Sequence, residues 1–332
     1  MDSLTQAALG ASVAYACWHK PLGKKALLWG AVLGTLPDLD IVAYPLLDTV
    51  ERLYWHRGES HSVWFIFLGA LVGAFFLHRW RWREHISFER LFWGIVAVFG
   101  THVLIDYFTI YGTQLLAPFS RYGFAHGNMF IIDPLYTLPL LFGIGFALVY
   151  NSPKANFTGL WISSLYALFS LASHGYAHHV FTKDLARQGL HVNASITMAT
   201  PFNTLLWRHL AQTPEGLLMG YYSLLSPRPI VYERVKQHKE LLAPFGDDAS
   251  IRAVEWFSKG FLVVQKENDG IRLSDARFGE IRSSIDAPPH TWGYLFSWTL
   301  QKDGSPMQRA PRAEQNLKEA LHATYQRLMG AH

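Results

Sequence analysis

The stretch Leu91-Phe92-Trp93-Gly94-Ile95-Val96-Ala97-Val98-Phe99-Gly100-Thr101-His102-Val103-Leu104-Ile105-Asp106 decides how this chain is read. It carries no charge from Leu91 to Ile105 and then ends on a carboxylate. A membrane span needs roughly 20 mostly apolar residues, and an ionisable group inside or beside one is costly unless it is partnered or used. His102 and Asp106 lie four apart, which puts both on one face of a helix, one turn from each other. The same stretch therefore predicts a membrane helix and a pair of functional side chains at its end.

Working outward, Ser62 to Leu77 and Phe157 to Ala172 are also uncharged, and Phe130 to Tyr150 contains a single carboxylate, Asp133. The mean hydropathy of +0.09 averages this apolar half with a C-terminal half of ordinary composition. About six membrane segments are expected, at 4–18, 26–47, 62–78, 91–110, 130–150 and 158–179. The first reads as a retained helix, because nothing basic precedes it as in a signal peptide. The expected fold is a mainly α membrane protein. A roughly six-helix transmembrane bundle (1–180) is followed by a soluble α+β domain (185–332). In that domain Ser195–Thr200, Asn203–Ala211, Leu217–Leu225, Gly260–Gln265, Gly270–Leu273 and Thr291–Thr299 read as strands. Val231–Leu242, Ala249–Phe257 and Ala313–Leu328 read as helices.

Charge sets the expected orientation and narrows the partners. Lys20, Lys24, Lys25, Arg79, Arg81, Arg83, Arg90 and Lys154 fall in loops after the first, third and fifth segments, which the positive-inside rule makes cytoplasmic. The C-terminal domain would then lie on the outer face. The net charge of +4 is modest. Its densest run alternates Arg with Trp80 and Trp82, a membrane-interface anchor and not a nucleic-acid patch. Cys17 is the single cysteine, which leaves no intrachain disulfide and no thiolate cluster.

With six spans, one membrane face collects Asp38 and Asp40 of Leu36-Pro37-Asp38-Leu39-Asp40, His56 and His61 of His56-Arg57-Gly58-Glu59-Ser60-His61, and the His102/Asp106 pair. Asp2, Asp133, His174, His178 and His179 fall on that face too, and His126 and Asn128 lie near it. Pro37 disfavours helix at Leu36, and an extended i, i+2 pair projects both carboxylates to one side. Gly58 allows a tight turn that brings His56 and His61 together. Mixed carboxylate and imidazole donors suit Zn²⁺, Mn²⁺ or Fe²⁺ better than Ca²⁺. Asp38, Asp40, His56, His61, His102 and Asp106 are thus candidate metal ligands or their supports. Glu59 is a candidate base and Arg57 a candidate contact to an anionic substrate. Ser60, Ser62 and Asp133 read as helix caps.

These motifs, with Met1-Asp2-Ser3-Leu4-Thr5, Gly34-Thr35-Leu36-Pro37-Asp38-Leu39-Asp40, Tyr111-Gly112-Thr113-Gln114 and Ile131-Ile132-Asp133-Pro134, resemble the membrane-bound metal-dependent hydrolase family, the YdjM-type inner-membrane-associated proteins. The resemblance covers roughly residues 1–180 and implies hydrolysis at the bacterial inner membrane without naming a substrate. One position departs from it: many members carry His after the opening Leu-Thr, and this chain has Gln6. The expected function is hydrolysis by a divalent metal centre of a phosphoester or lipid-linked substrate at the membrane face. A metal-ion or proton transporter using the same Asp/His set, or a membrane scaffold, are the alternatives.

Overall fold

In the computed structural model, which describes residues 1–282, 286–311 and 317–330, the N-terminal helix α1 (Ser3–Leu22) starts where Asp2 caps it. The Asp2 carboxylate accepts from Thr5 N at 3.0 Å, and the helix ends at Gly23 with φ 55°. Helix α2 (Lys25–Thr35) returns against α1 almost backbone to backbone. A Cβ at Gly10 would lie 2.4 Å from the Gly30 oxygen, and one at Gly34 would lie 2.7 Å from the Gln6 oxygen. No real side chain fits such gaps, so these glycines set the closeness of the two helices.

Pro37 then changes the winding, and Pro37–Leu46 runs as a 3₁₀ helix ahead of the short helix α3 (Thr49–Trp55). A single turn at Glu59–His61 leads into α4 (Val63–Leu77), capped by Ser62 Oγ accepting from Phe65 N. Ser87 caps α5 (Phe88–Tyr107) in the same way, and Asp133 caps α6 (Pro134–Tyr150). The long α7 (Pro153–Arg187) follows.

The chain divides into two compact units. The first comprises residues 1–43, 55–172 and 201–203. Its core holds Trp18, Leu91, Ile95, Phe99 and Leu140, all nearly or fully buried. Trp18 occupies the space that a side chain at Gly94 would need and donates its indole N–H to the Arg90 carbonyl at 3.2 Å. A bulky aromatic against a glycine is how α1 and α5 interlock.

The expected six spans are corrected to two or three. Among the described residues, Val63–Trp80 and Phe88–Tyr107 are long and apolar enough to cross a membrane. Lys25–Thr35 and Pro37–Leu46, bent by 44°, add a third if they count as one span. Segment 4–18 is helical, but it brings Thr5, Gln6 and Ser12 into the interior of the unit. Helix α6 has 17 residues, which is short for a span. Exposed Leu68, Phe75 and Phe76 on α4 give that helix the apolar outer surface that lipid favours.

The second unit comprises residues 44–54, 173–200 and 204–332. Strands β1 (Ala194–Ala199), β2 (Leu206–Thr213), β3 (Gly216–Ser223) and β4 (Tyr232–Val235) form an antiparallel sheet in that order. Helix α8 (Ala249–Ser258) precedes β5 (Leu262–Glu267), β6 (Gly270–Asp275), β7 (Glu280–Ile281), β8 (Gly293–Tyr294), β9 (Ser297–Gln301) and β10 (Gln308–Arg309). A second sheet runs β10-β9-β6-β5, and β7 pairs with β8. Helix α9 (Leu317–Leu328) comes last.

Two expectations here are corrected. Residues 231–242, expected to be helical, form β4 and the start of a 3₁₀ turn at Lys239–Phe245. Tyr232–Val235 pairs register-for-register with Leu217–Gly220, so sheet pairing overrides the local spacing. The strand expected at 291–299 is divided between β8 and β9. The helix expected from Ala313 is seen from Leu317 onward, and residues 313–316 lie outside the described residues.

Candidate metal centre

Four side chains from separate parts of the first unit converge: Asp38 from the 3₁₀ segment, His61 from the single turn before α4, and His102 and Asp106 from α5. One ligand atom from each lies within 4.8 Å of all the others. His61 Nε2 is 3.2 Å from His102 Nε2, 3.3 Å from Asp38 Oδ1 and 3.3 Å from Asp106 Oδ2. His102 Nε2 is 3.6 Å from Asp38 Oδ1 and 3.8 Å from Asp106 Oδ2. Four ligands held about 2.0–2.2 Å from a tetrahedral ion sit about 3.3–3.6 Å from one another, so the donor set fits a first-row divalent cation.

The surroundings fix these atoms in ligating orientations. Gly34 O can only accept, so His102 Nδ1 donates to it at 2.6 Å and Nε2 faces the cluster. Ser60 Oγ holds His61 Nδ1 at 2.9 Å. Asp106 is polarised between its two oxygens. Oδ1 takes Arg57 Nη2 at 3.0 Å, Gln6 Nε2 at 3.0 Å and the amine of Met1, whereas buried Oδ2 faces the ring nitrogens of His61 and His102. His102 and Asp106 are almost fully buried and His61 fully so, while the Asp38 side chain is 20% exposed. Burial disfavours the charged form of His61, but Asp106 and Asp38 outweigh it and hold its pKa above the ordinary imidazole value.

The remaining residues singled out in the sequence stand around this group. The Asp40 carboxylate accepts from His56 Nδ1 at 3.0 Å, from the Arg57 backbone at 3.0 Å and from Ser60 Oγ at 3.4 Å, so Asp40 and His56 pair with each other outside the cluster. The Arg57 guanidinium is buried on Asp106 and Thr109 Oγ1 and lies over the Tyr111 ring. The tight turn expected from Gly58 takes its positive φ, 56°, at Arg57 instead. Arg57 N bonds Asp40 and its carbonyl accepts from Gln114 N, contacts that hold the arginine in that sparsely populated conformation. Glu59 is half-exposed and pairs with Arg121, which outweighs its partial burial and holds its pKa below the usual carboxylate value. Asp133 accepts from Leu135 N and the Tyr166 hydroxyl, and Asn128 donates to Ser170 Oγ.

His174, His178 and His179 belong to the second unit, where His174 and His178 meet β1 and β2. Thr197 Oγ1 lies 3.0 Å from His178 Nδ1 and 2.8 Å from the Nδ1 of buried His209, which stacks on Phe181. His209 was not singled out in the sequence, because it sits alone among the β2 residues with no motif around it. The orienting role of Gly34 was also missed. Gly30 and Gly34, four apart on an apolar helix, were the available sign that a backbone would come close.

The family described as YdjM inner membrane protein matches residues 1–177, which include all four clustered residues. The uncharacterized protein YfhP of Bacillus subtilis (strain 168) is 28% identical over 179 residues, covering 49% of this chain and 51% of that protein. The chain thus spans about half the length of that relative. Inner membrane protein YbcI of Escherichia coli (strain K12) is 26% identical over 153 residues, covering 40% of this chain and 87% of the relative. No solved structure matches the chain.

Proposed function

The chain belongs to the YdjM inner membrane protein family, and on that premise we propose that Asp38, His61, His102 and Asp106 bind one divalent cation and use it for hydrolysis at the membrane face. The observation that carries this reading is the inward turn of three buried donors. Two imidazole Nε2 atoms stand 3.2 Å apart and 3.3 and 3.8 Å from Asp106 Oδ2, while Oδ1 already takes three donors on the other side. Two imidazoles and two carboxylates with ligand atoms within 4.8 Å of one another make a donor set that a single cation would bridge. Zn²⁺, Mn²⁺ and Fe²⁺ suit the two-nitrogen, two-oxygen set.

When bound, such a cation lowers the pKa of a coordinated water and polarises the bond to be cleaved. The protein's part is division of labour. Arg57 and Gln6 lock Asp106. The Gly34 carbonyl locks His102. Asp40 holds the turn that presents His61, and its pairing with His56 supports a single cation over two. Asp38, the one partly exposed member, lies where substrate enters. Arg57 then serves by fixing a ligand, and Glu59 with Arg121 marks the rim. A phosphoester or lipid-linked substrate suits a site at a membrane face. The protein would be multi-pass, with the C-terminal unit on the outer side.

Metal analysis of the detergent-purified full chain tests the centre: one equivalent is expected in wild type and none in the His102→Ala/Asp106→Ala double variant. Equal, negligible metal in both would end the proposal. A panel of phosphodiester and carboxylic ester substrates with added Mn²⁺ or Zn²⁺ tests the chemistry. Metal uptake by proteoliposomes without turnover of any of them would favour transport.

A further inference from the structure

Trp80 and Trp82 stand two apart in the run of alternating Arg and Trp, and the fold uses them in opposite ways. The run forms a short π-helical segment, His78–Trp82, directly after α4. Trp82 is 3% exposed, with its ring 6.3 Å from that of Trp18 and 5.1 Å from that of Trp29. Trp80 is 77% exposed. Trp82 is thus a pin. It meets Trp18 near the end of α1 and Trp29 near the start of α2, and so gathers three segments at one end of the first unit. Arg90, near the start of α5, joins them by donating from Nε and Nη2 to the Cys17 carbonyl at 3.0 and 2.7 Å.

That end is basic. Lys20, Lys24, Lys25, Arg79 and Arg83 are exposed there, and none of them pairs with a carboxylate among the described residues. Glu84 and Glu89 are the only acids in the stretches 18–30 and 78–93. Like charges gathered this way repel one another, and an anion brought among them relieves the repulsion. Apolar surface borders the cations directly. Leu68, Leu71, Val72, Phe75 and Phe76 are exposed at helical spacing on α4, and Arg79 and Trp80 follow in the next turn. Helix α5 has 20 residues and is therefore about 30 Å long, close to the thickness of a bilayer's hydrocarbon core. When α5 crosses, its start comes to the level of the lipid phosphates, while His102 and Asp106 mark its other end.

From this we infer that the basic end of the first unit is a docking surface for anionic phospholipids. Lys20, Lys24, Lys25, Arg79 and Arg83 meet the headgroup phosphates, and the outer face of α4 takes the acyl chains. A soluble polyanion would satisfy the cations but leave the aromatic row of α4 in water. A zwitterionic lipid would cover that row but bring no net charge to the cations. A lipid of net negative charge does both, and the exposed indole of Trp80 suits the boundary between headgroup and chain. This inference stands apart from the metal reading, whose residues lie at the opposite end of α5.

The test reconstitutes the full chain in phosphatidylcholine bilayers with a trace of spin-labelled phosphatidylglycerol or spin-labelled phosphatidylcholine. The fraction of label immobilised on the protein, read by electron paramagnetic resonance, gives the relative association of the two lipids. Wild type should prefer phosphatidylglycerol about fivefold at low salt, the scale of one basic contact per headgroup. Lys24→Gln/Lys25→Gln/Arg79→Gln/Arg83→Gln should bring the preference close to one while leaving the immobilised phosphatidylcholine unchanged, because the apolar face of α4 is untouched. If the fourfold variant does not fold, Lys24→Gln/Lys25→Gln and Arg79→Gln/Arg83→Gln are measured separately, and each should lose about half of the preference on a logarithmic scale. Equal association of the two lipids with wild type would overturn the inference. A preference that survives in the folded variants would overturn it too, by placing the selectivity elsewhere on the chain. Equal lipid association combined with retention of an RNA oligonucleotide by wild type would reassign the cations to a soluble polyanion.

Discussion

Two groups of histidines, one in each unit, place the same imidazole in similarly dry surroundings with opposite results. His61 is buried against Asp38 and Asp106, and its pKa rises. His209 is buried against Thr197, Phe181 and the neighbouring His178, and burial pushes its pKa down to about 3. Desolvation is the largest single influence on both rings and opposes the imidazolium in both. Only the first has carboxylates to reverse the sign. Carboxylates make an imidazole cluster fit for a cation, whereas a hydroxyl and aromatic rings make it part of a core. The i, i+4 spacing of His174 and His178 resembles that of His102 and Asp106, so spacing alone does not distinguish them.

The comparison breaks first, and most completely, at metal binding. Asp106→Ala or His102→Ala should reduce affinity for Zn²⁺ by at least about a hundredfold in competition with a chelator, as expected for loss of an oriented ligand. His178→Ala and His209→Leu should leave the stoichiometry at one. Loss of metal in the second pair of variants would mean that the two groups are not different in kind. The affinity of the first cluster should also fall as pH drops below the raised pKa of His61, by up to about tenfold per pH unit, because the proton must leave before the nitrogen can ligate.

Acid stability comes next in size and runs the other way. A base whose folded pKa lies below its unfolded one keeps its stabilising contribution above the unfolded value, near 6.5, and loses it as pH falls toward about 3. For His209 the full shift corresponds to at most about 5 kcal/mol. Thermal unfolding of the second unit, read from the fluorescence of buried Trp207, Trp292 and Trp298, should therefore weaken between those limits. His209→Leu should flatten that acid limb while costing about 1–2 kcal/mol at neutral pH for the lost bond to Thr197. In the apo protein His61 has the opposite sign, since its stabilising contribution is full below pH 6.5 and disappears as pH rises through its raised value.

Much of the first cluster was legible because its chemistry is local. Asp38 after Pro37, and His102 with Asp106 at the end of an uncharged run, stand out against apolar neighbours. Less legible was the division between ligand and support. Asp40 is only two residues from Asp38, yet it faces His56 and the Arg57 backbone because the chain winds as a 3₁₀ helix there and not as an extended pair. Arg57 looked like a substrate contact because sequence cannot show that Asp106 and Thr109 take its guanidinium. The span count failed for a related reason. Apolar length alone does not reveal whether a helix is surrounded by lipid or by protein, and α1 brings its polar residues into protein. The strands of the second unit were mostly readable, but β4 depends on its partner β3 and so escaped a local reading.

Packing supplies a smaller effect that still reaches the site. Gly34→Ala would place a Cβ 2.7 Å from the Gln6 carbonyl and 2.8 Å from Gly10 Cα, so α1 and α2 must separate. A loss of about 1–3 kcal/mol is expected. Because the Gly34 carbonyl is what orients His102, Zn²⁺ affinity should drop several-fold as well. Gly145→Ala, on α6 where nothing lies within 4 Å of the added carbon, should leave Zn²⁺ affinity unchanged and cost no stability, gaining up to about 1 kcal/mol of helix propensity. An equal loss in both variants would show that it does not come from the close approach at Gly34.

The smallest expected effect is at Glu59, and it discriminates most finely between the readings of the site. Glu59 and Arg121 are 47% and 41% exposed, so their ion pair is screened and worth about 0–1 kcal/mol. Glu59→Gln should leave metal content unchanged and shift stability by less than about 0.5 kcal/mol, with the difference vanishing in high salt. Its effect on turnover of whichever ester proves to be a substrate separates two roles. A rim residue loses a few-fold, mainly in KM, whereas a general base loses about 10²–10⁴-fold in kcat. The pairing with Arg121, which holds the carboxylate in its ionised and weakly basic form, favours the rim.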